Sequence, residues 1–395
     1  LMKTFSTWAI AVLLSVMPIA AAAQNDSGRI VGTVRDQSGA NVARATVTAT
    51  NDRTGETRSV TTNDAGLFVI TPLKPSTYSL KATKSGFDGL DYPNMPLAVG
   101  QELPLDFELK PAGVQEAVTV VGIAPVLDIS SARIGANVSQ REVNGLPVNG
   151  RQMSQLMLQA PGSQNAGTGT WQDIRFSGRA VEQNVIKYDG IEGSAIIDAA
   201  PGNVNGENNT PFKLQASLEN VQEFRVESSS YPAEFGTGTG GQVSVVTKSG
   251  SNQIHGALFE YLRNDAMDAE NYFDKQRNPD GSVIADLGKS KLSQNQFGGS
   301  FGGPIARNRA FFFASYEGYR LDAGKNFIEG IPSSQAWARA VPAVAGLRSG
   351  FLAPGGVILA GASANPDYDI AQLQDEQHVD EDAFSGRVDF RFTDN

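Results

Sequence analysis

The sequence predicts a mainly β protein with three successive parts: a small β-sandwich, an α+β domain, and the first strands of a transmembrane antiparallel β-barrel. Short alternating segments between Gly, Asn and Asp turn signals fill the first part, as in antiparallel sandwiches. Helical segments interrupt the strands only in the middle part. The last part has alternating segments of about ten residues with long and short connections, which is typical of membrane barrels.

Length and composition limit the classes of function. A chain of 395 residues predicts two or three domains, at about 150 residues per domain. The net charge of −10 disfavours nucleic acid as a partner, because nucleic-acid binding needs a basic face. The absence of cysteine excludes disulfides and thiolate metal sites.

The first residues predict a secretory signal peptide over residues 1–23. Lys3 gives a positive start, residues 8–17 are apolar, and residues 21–23 are three alanines that fit a cleavage site. An N-terminal membrane anchor is the alternative. No later run approaches about 18 apolar residues, so the chain can cross a membrane only as a closed barrel.

Residues 28–110 are predicted to form the sandwich. Five short β-rich segments occur within about eighty residues, and Gly-containing turn signals separate them. The predicted strands are 29–34, 45–50, 58–62, 66–70 and 77–82, and the turn signals are 36–39, 52–55 and 63–66.

Residues 111–127 are predicted to be a linker with one β-branched run. The run Val118 to Val121 follows Glu116. It is either the last edge strand of the sandwich or an exposed segment that a partner captures as an added strand. Its place between two domains favours the second interpretation.

Residues 128–250 are predicted to form the α+β domain. Helical spacing is predicted at 139–144 and 152–159, and a strand at 184–191 closes on an Asp-Gly turn. Residues 199–210 are rich in Asn, Gly and Pro and predict a loop. A helix-like lead-in at 218–224 and an alternating strand at 242–248 complete the domain.

Residues 251–395 are predicted to hold the first barrel strands. The last of them alternates Phe384, Val388 and Phe390 with Arg387 and Asp389. A half-buried soluble strand gives the same alternation, but long loops and one short turn favour a barrel. The predicted strands are 256–263, 292–303, 309–320 and 384–392, with long loops at 264–291 and 321–383 and a short turn at 304–308.

Three motifs could indicate other chemistry. The G-x-G-x-x-G match at 236–241 lacks the following helix of a nucleotide site. The G-x-S-x-G match at 298–302 lacks the strand-to-helix turn of a hydrolase, so its glycines indicate close strand packing. The acidic run 375–382 around His378 is expected to be a solvated loop, with calcium binding as the alternative. We therefore expect no catalytic, cofactor-binding or metal-binding residue and no enzyme activity.

These segments resemble TonB-dependent outer-membrane receptors, in particular the Oar-like members. The sandwich resembles the carboxypeptidase-regulatory-like domain, which has a transthyretin-like fold, and the middle domain resembles the receptor plug. The segments at 220–226 and 231–236 (NVQEFRV and YPAEFG) carry the most specific likeness. The residues that match the plug motifs are Gly150, Arg151, Gly178, Arg179, Asp189, Gly190, Phe224, Arg225 and Val226, and those that match the TonB box are Glu116, Ala117, Val118, Thr119, Val120 and Val121.

The resemblance implies a gated importer in the bacterial outer membrane, with its N-terminal domain in the periplasm. The energy-coupling protein TonB would pair with the TonB-box-like segment, and a scarce or bulky siderophore, saccharide or peptide would bind from outside. Outer-membrane lipid would surround the barrel, and no cofactor is implied. The expected ligand contacts are Trp171, Asn203, Asn205 and Asn208.

The number of strands departs from the family pattern. Barrels of this family have about 22 strands, whereas four are visible here. Because open strand edges cannot stand in lipid, we expect an incomplete barrel from a truncated reading frame. A secreted sandwich adhesin or carbohydrate-binding protein is the alternative function.

Overall fold

The structure is a computed structural model, and its described residues form two compact units. One unit contains the described residues up to Ile254, together with 302–313 and those from Arg387 onward; the other contains those of 255–301 and 314–386. The structure describes residues 27–112, 133–148, 151, 153–165, 174–192, 217–231, 235, 238–270, 275–277, 280–286, 289–350, 357–359 and 365–391.

The first domain is a sandwich of two four-stranded sheets. One sheet has the order β3-β2-β5-β6, and in the other β1 pairs with β4, β7 and β8. Alternate side chains of both sheets form one apolar core, in which Ile30, Leu80 and Phe107 are fully buried. The strands are β1 (Gly28–Asp36), β2 (Thr46–Asn51), β3 (Thr57–Thr61), β4 (Leu67–Leu73), β5 (Ser76–Thr83), β6 (Leu90–Leu97), β7 (Glu102–Pro104) and β8 (Phe107–Leu109).

The five strands expected from the sequence form at their expected places. Strands β6 to β8 were not predicted, because β6 contains two prolines and the other two have three residues each. Proline removes a ladder donor and is tolerated at sheet edges, and β6 is indeed an edge strand.

The middle domain contains a five-stranded sheet with the order β13-β12-β15-β14-β9, named here the middle sheet. Its first helix starts at a capping box, in which Ser139 and Glu142 satisfy each other's backbone N–H groups. The elements are β9 (Ile134–Val138), α1 (Gln140–Gly145), α2 (Met153–Leu156), β10 (Ser163–Asn165), β11 (Ile174–Phe176), β12 (Val185–Tyr188), β13 (Ile191–Glu192), β14 (Val221–Ser229) and β15 (Gln242–Thr247), with 3₁₀ turns at Met157–Gln159, Val181–Gln183 and Leu218–Asn220.

One prediction for this domain was wrong. The helix-like lead-in at 218–224 is a single 3₁₀ turn followed by β14. Strand β14 pairs with β15 on one side and with β9 on the other. Both partners are distant in sequence, so these backbone hydrogen bonds outweigh the local helical spacing.

The last sheet has the order β16-β19-β20-β22-β21. The expected strands and the short turn form. The prediction of a loop over 321–383 was wrong, because β20 and β22, of 23 residues each, extend into that range from both ends. The elements are β16 (His255–Asn264), β17 (Lys275–Arg277), β18 (Val283–Asp286), β19 (Leu292–Ala306), β20 (Ala310–Pro332), α3 (Ser334–Ala338), α4 (Pro342–Ala345), β21 (Val357–Leu359) and β22 (Tyr368–Phe390), with 3₁₀ turns at Asp265–Met267 and Gly346–Gly350.

Within the described part of the chain, no helix combines the length and apolarity needed to span a membrane.

Candidate functional site

The middle sheet has one apolar and one charged face along β14. Phe224 and Val226 are fully buried and belong to a core that includes Val143 of α1 and Leu156 of α2. Successive side chains of a strand point to opposite faces, so Glu223, Arg225 and Glu227 lie on the other face. Two of the predicted motif residues therefore build the core, and the third, Arg225, belongs to a charged face that is largely covered.

Arg225 holds a buried carboxylate. The Glu227 side chain is 2% exposed, and its Oε1 accepts hydrogen bonds from Arg225 Nε at 2.9 Å and from Arg133 Nη1 at 3.2 Å. Arg133 Nη1 also donates to the Gly100 carbonyl oxygen of the sandwich at 3.2 Å. Two guanidinium groups thus compensate the one buried carboxylate of Glu227, which would be costly to bury without a partner.

Asp189 and Gly190 form the turn of the β12–β13 hairpin. Their φ angles are +47° and +83°, as a two-residue type I′ turn requires. Asp189 Oδ1 accepts from the Thr247 backbone N–H at 3.0 Å, and Oδ2 accepts from Thr247 Oγ1 at 2.5 Å. The turn is thereby attached to the end of β15, the central strand of the middle sheet.

Arg387 of β22 joins the same group, named here the Asp189 cluster. Its Nη1 donates to Thr247 Oγ1 at 2.8 Å and to the Thr247 carbonyl at 3.2 Å. The contact with Asp189 Oδ2 is longer, at 3.4 Å, and Arg387 Nε also donates to Asp389 Oδ2 at 2.8 Å. Thr247 is therefore the bridge between the middle sheet and β22.

Gly178 lies in a second tight turn. Ser177 and Gly178 have φ angles of +52° and +73°, and Arg179 N donates back to the Phe176 carbonyl at 3.1 Å. Ser177 Oγ donates to the Ser228 carbonyl of β14 at 3.2 Å, so this turn is attached to the middle sheet. Arg179 is exposed.

The remaining predicted positions are distributed as follows. Arg151 is partly buried with a φ of +53°. The predicted TonB-box-like residues 116–121, Gly150 and the predicted ligand contacts Trp171, Asn203, Asn205 and Asn208 lie outside the described residues, as does the predicted signal peptide.

Sequence reasoning missed Asn184, which connects three parts of the middle domain. Its side chain is almost fully buried; Nδ2 donates to the Ile174 carbonyl at 2.9 Å, and Oδ1 accepts from the Gly241 N–H at 2.8 Å. A Cβ on Gly241 would lie 2.2 Å from Phe176 Cδ2. The glycine run before β15 therefore serves close packing. The available sequence signal was an Asn directly before an apolar strand.

The C-terminal part of β22, residues 384–390, exposes its apolar side chains. Phe384 is 80% exposed, Val388 54% and Phe390 61%. The alternating polar residues Ser385, Arg387 and Asp389 are more covered than these aromatic and aliphatic ones. This is the reverse of a half-buried soluble strand, whose apolar face is the covered one. A lipid-facing strand has this arrangement.

The acidic run around His378 is part of β22, so the expectation of a solvated loop was wrong. His378 Nδ1 lies 2.5 Å from Asp322 Oδ1, and Nε2 lies 3.2 Å from Asp380 Oδ2. Arg320 Nη2 donates to both oxygens of Asp382, at 2.9 and 3.1 Å. Across the described residues, no group of three His, Asp or Glu side chains has the geometry of a metal site.

Glycines near the hydrolase-like motif serve strand packing, as predicted. A Cβ on Gly298 would lie 2.1 Å from the Tyr316 carbonyl oxygen, and one on Gly299 would lie 2.6 Å from Leu258 Cδ2. Both glycines are in the middle of β19, where no strand-to-helix turn occurs.

Comparison with known families gives two matches. Residues 29–110 match the carboxypeptidase regulatory-like domain family, and residues 246–346 match the outer membrane beta barrel domain family. The first range coincides with the sandwich and the second begins at the end of β15. Both matches agree with the predicted fold class.

A curated relative covers most of the chain. The TonB-dependent transporter Oar of Myxococcus xanthus is 31% identical over 305 residues, which are 75% of this chain and 27% of the relative. The chain thus spans about a quarter of that relative's length.

Two solved structures show local likeness. The siderophore receptor PirA of Acinetobacter baumannii is 17% identical with a TM-score of 0.33, over 50% of this chain and 28% of the receptor. A putative carbohydrate binding protein of Bacteroides uniformis is 16% identical with a TM-score of 0.20, over 22% of this chain and 42% of that protein.

Proposed function

We propose that this chain, a homologue of an Oar-type TonB-dependent transporter located in the outer membrane, is part of an energy-coupled receptor. The receptor binds a scarce or bulky ligand and imports it when its plug rearranges. The middle domain is the plug, and the last sheet is part of the barrel wall. The sandwich lies on the periplasmic side. Siderophores, saccharides and peptides are the candidate ligand classes.

The exposed apolar face of β22 carries this proposal. Phe384 and Phe390 would contact lipid, whereas Arg387 would face the plug, where it bonds to Thr247. This arrangement is unfavourable in a secreted adhesin, because exposed aromatic side chains would favour aggregation in water. The experiment is outer-membrane fractionation of the gene product with gel mobility before and after boiling. Soluble recovery without a mobility shift would contradict the proposal.

The segment Glu116 to Val121 is the proposed docking strand for TonB. Strand addition depends on backbone N–H donors, which proline lacks. We expect V118P to reduce retention of the receptor on immobilised TonB periplasmic domain by at least about tenfold, equivalent to roughly 1.4 kcal/mol. V114P, in the same linker but outside the segment, is the matched control. Equal retention of both variants would place TonB docking elsewhere.

Ligand contact is proposed for Trp171 and for the Asn residues at 203, 205 and 208. Aromatic and amide side chains suit saccharides and peptides, which combine apolar ring faces or side chains with many hydrogen-bonding groups. Binding of siderophore, oligosaccharide and peptide panels to purified receptor identifies the class. W171A should weaken binding of the ligand found, and unchanged affinity would remove Trp171 from the site.

A further inference from the structure

A turn of the sandwich is built to present Arg53. Residues 51–55, named here the docking turn, connect β2 with β3. The buried Asn51 Oδ1 accepts from the backbone N–H groups of Arg53 at 3.0 Å and Thr54 at 3.2 Å. Gly55 has a φ of +72° and its N–H donates to the Asn51 carbonyl at 2.8 Å. The backbone of Arg53 is therefore held by hydrogen bonds within the sandwich, independently of its side-chain contacts.

The docking turn contacts the middle domain. Arg53 Nη1 donates to Gln222 Oε1 of β14 at 3.0 Å, and Nη2 donates to the Ser249 carbonyl at 3.4 Å. The Arg53 carbonyl accepts from the backbone N–H of Asn252, in the segment that leads from β15 to β16, at 2.9 Å. Burial lowers the pKa of the Arg53 guanidinium, which is in line with its enclosure at this joint.

A second sandwich segment reaches the charged face of β14. The N–H of the fully buried Val99 donates to Glu223 Oε1 at 2.6 Å. One residue later, the Gly100 carbonyl accepts from Arg133, which also bonds to Glu227. Gln222 Nε2 donates to the Pro75 carbonyl at 3.2 Å. Three sandwich segments thus make short, covered hydrogen bonds to one strand of the middle sheet or to its ion pair.

The sandwich also contacts the end of the barrel strands. Lys74 Nζ lies 3.4 Å from Asp389 Oδ1, and the Lys74 side chain is 67% exposed. Arg391 Nη1 donates to the Gly55 carbonyl at 3.5 Å. Both contacts are long. The exposed ion pair is screened by water and contributes little, and the Arg391 contact is at the limit of hydrogen-bonding distance.

We propose that the sandwich is a clamp between the plug and the barrel: it moves with the middle domain as one body, and it releases the barrel end when the plug moves. The proposal rests on the receptor function above. Because the sandwich is attached both to β14 and to the strand ends at 389–391, the two sets of contacts cannot both survive a displacement of the plug against the barrel wall. The weaker set, at Lys74 and Arg391, breaks first.

Thiol crosslinking in the outer membrane tests the clamp, since this chain has no cysteine of its own. The K74C/D389C variant reports the barrel side, and V99C/E223C reports the plug side. A short bifunctional thiol reagent is applied to isolated outer membranes, to energised cells and to protonophore-treated cells that express the whole gene product. T48C/S59C is the control, because Thr48 Oγ1 and Ser59 Oγ lie 2.8 Å apart inside the sandwich.

We expect both pairs to crosslink in isolated membranes. In energised cells the barrel-side pair should lose at least about threefold in crosslinked fraction relative to protonophore-treated cells, because the released state becomes populated. The plug-side pair and the control should not change. The clamp would be overturned if the crosslinked fraction of the barrel-side pair were the same in energised and protonophore-treated cells, or if that pair crosslinked only weakly in isolated membranes. A fall in the crosslinked fraction of the plug-side pair in energised cells would also overturn it.

Failure of the clamp is distinguishable from failure of the receptor function. A protein that is recovered in the outer membrane and retained by TonB, but whose barrel-side crosslinking does not change, contradicts the clamp alone. A protein that TonB does not retain contradicts the receptor function, and the clamp with it.

Discussion

Strand β2 of the sandwich and residues 384–390 of β22 both alternate apolar and polar side chains, but the apolar side chains are buried in β2 and exposed in β22. In β2, Val47 and Ala49 are buried while the alternating threonines are partly exposed. In β22, Phe384, Val388 and Phe390 are the exposed side chains. A period of two identifies a strand, but it does not say which face meets water. The second sheet covers the apolar face of β2, and lipid is the expected cover for that of β22.

The largest expected effect concerns the core of the middle domain, and it tests the contrast in burial between two phenylalanines. Phe224 is fully buried in β14, whereas Phe384 is 80% exposed in β22. F224A should destabilise the middle sheet by about 3–5 kcal/mol, because it leaves a cavity. Hydrogen exchange of the β14 and β15 amides in purified receptor measures the loss of protection.

F384A is the matched control for that experiment. It should change the exchange protection of the same amides little, because the Phe384 side chain belongs to neither apolar core of the described residues. Comparable loss of protection in both variants would mean that Phe384 is packed against protein rather than lipid.

A second prediction compares two valines of equal exposure. Val388 of β22 is 54% exposed and Val69 of sandwich strand β4 is 51% exposed. V388R places a cation on the lipid face, which costs about 2–4 kcal/mol at the bilayer centre and less towards the interface, whereas V69R should stay within about 0.5 kcal/mol in water. The fraction of receptor with heat-modifiable mobility in the outer membrane measures assembly. Equal assembly of both variants would show that Val388 faces water.

The third prediction concerns pH and the joint between the sandwich and β14. Burial raises the pKa of Glu223 to about 7 from an ordinary 4.5, although hydrogen bonds from Val99 and Asn137 oppose the change. The folded protein therefore keeps a proton that the unfolded chain releases. The contribution to stability is full below about pH 4.5 and falls, by roughly 1–3 kcal/mol, as the pH rises to about 7.

Urea unfolding of the middle domain at several pH values between 4 and 8 checks this. E223Q should flatten the dependence because the amide does not titrate. E108Q, which changes an exposed carboxylate of the sandwich, should leave it as in the parent protein. A parent protein that becomes more stable across this window would contradict the assignment.

The smallest expected effect concerns the Asp189 cluster. D189N keeps the shape of the turn but loses one acceptor for Thr247 and the attraction of Arg387, and the Asp189 side chain is 37% exposed. We expect a loss of about 1 kcal/mol in the local stability of the β12–β13 hairpin. Amide exchange of that hairpin measures it, with D64N in a sandwich turn as the control. A loss several times larger would indicate a structural role beyond these hydrogen bonds.

Local patterns in the sequence were sufficient for much of the fold. The five sandwich strands followed from alternation between turn signals, and the Asp189–Gly190 turn from its dipeptide. These features depend on a few neighbouring residues, whose backbone preferences are intrinsic. The same holds for the first helix of the middle domain, whose capping groups Ser139 and Glu142 are three residues apart.

The sequence by itself therefore determined the fold class, the order of the parts and the positions of most turns. The tertiary structure alone decided that β14 is a strand, because its partners are β9 and β15. It also decided that Arg387 meets Thr247, a residue 140 positions away, and that Val99 meets Glu223. The physical reason is that such contacts depend on chain closure over long separations, and no periodicity in a sequence records which distant segments will close on each other.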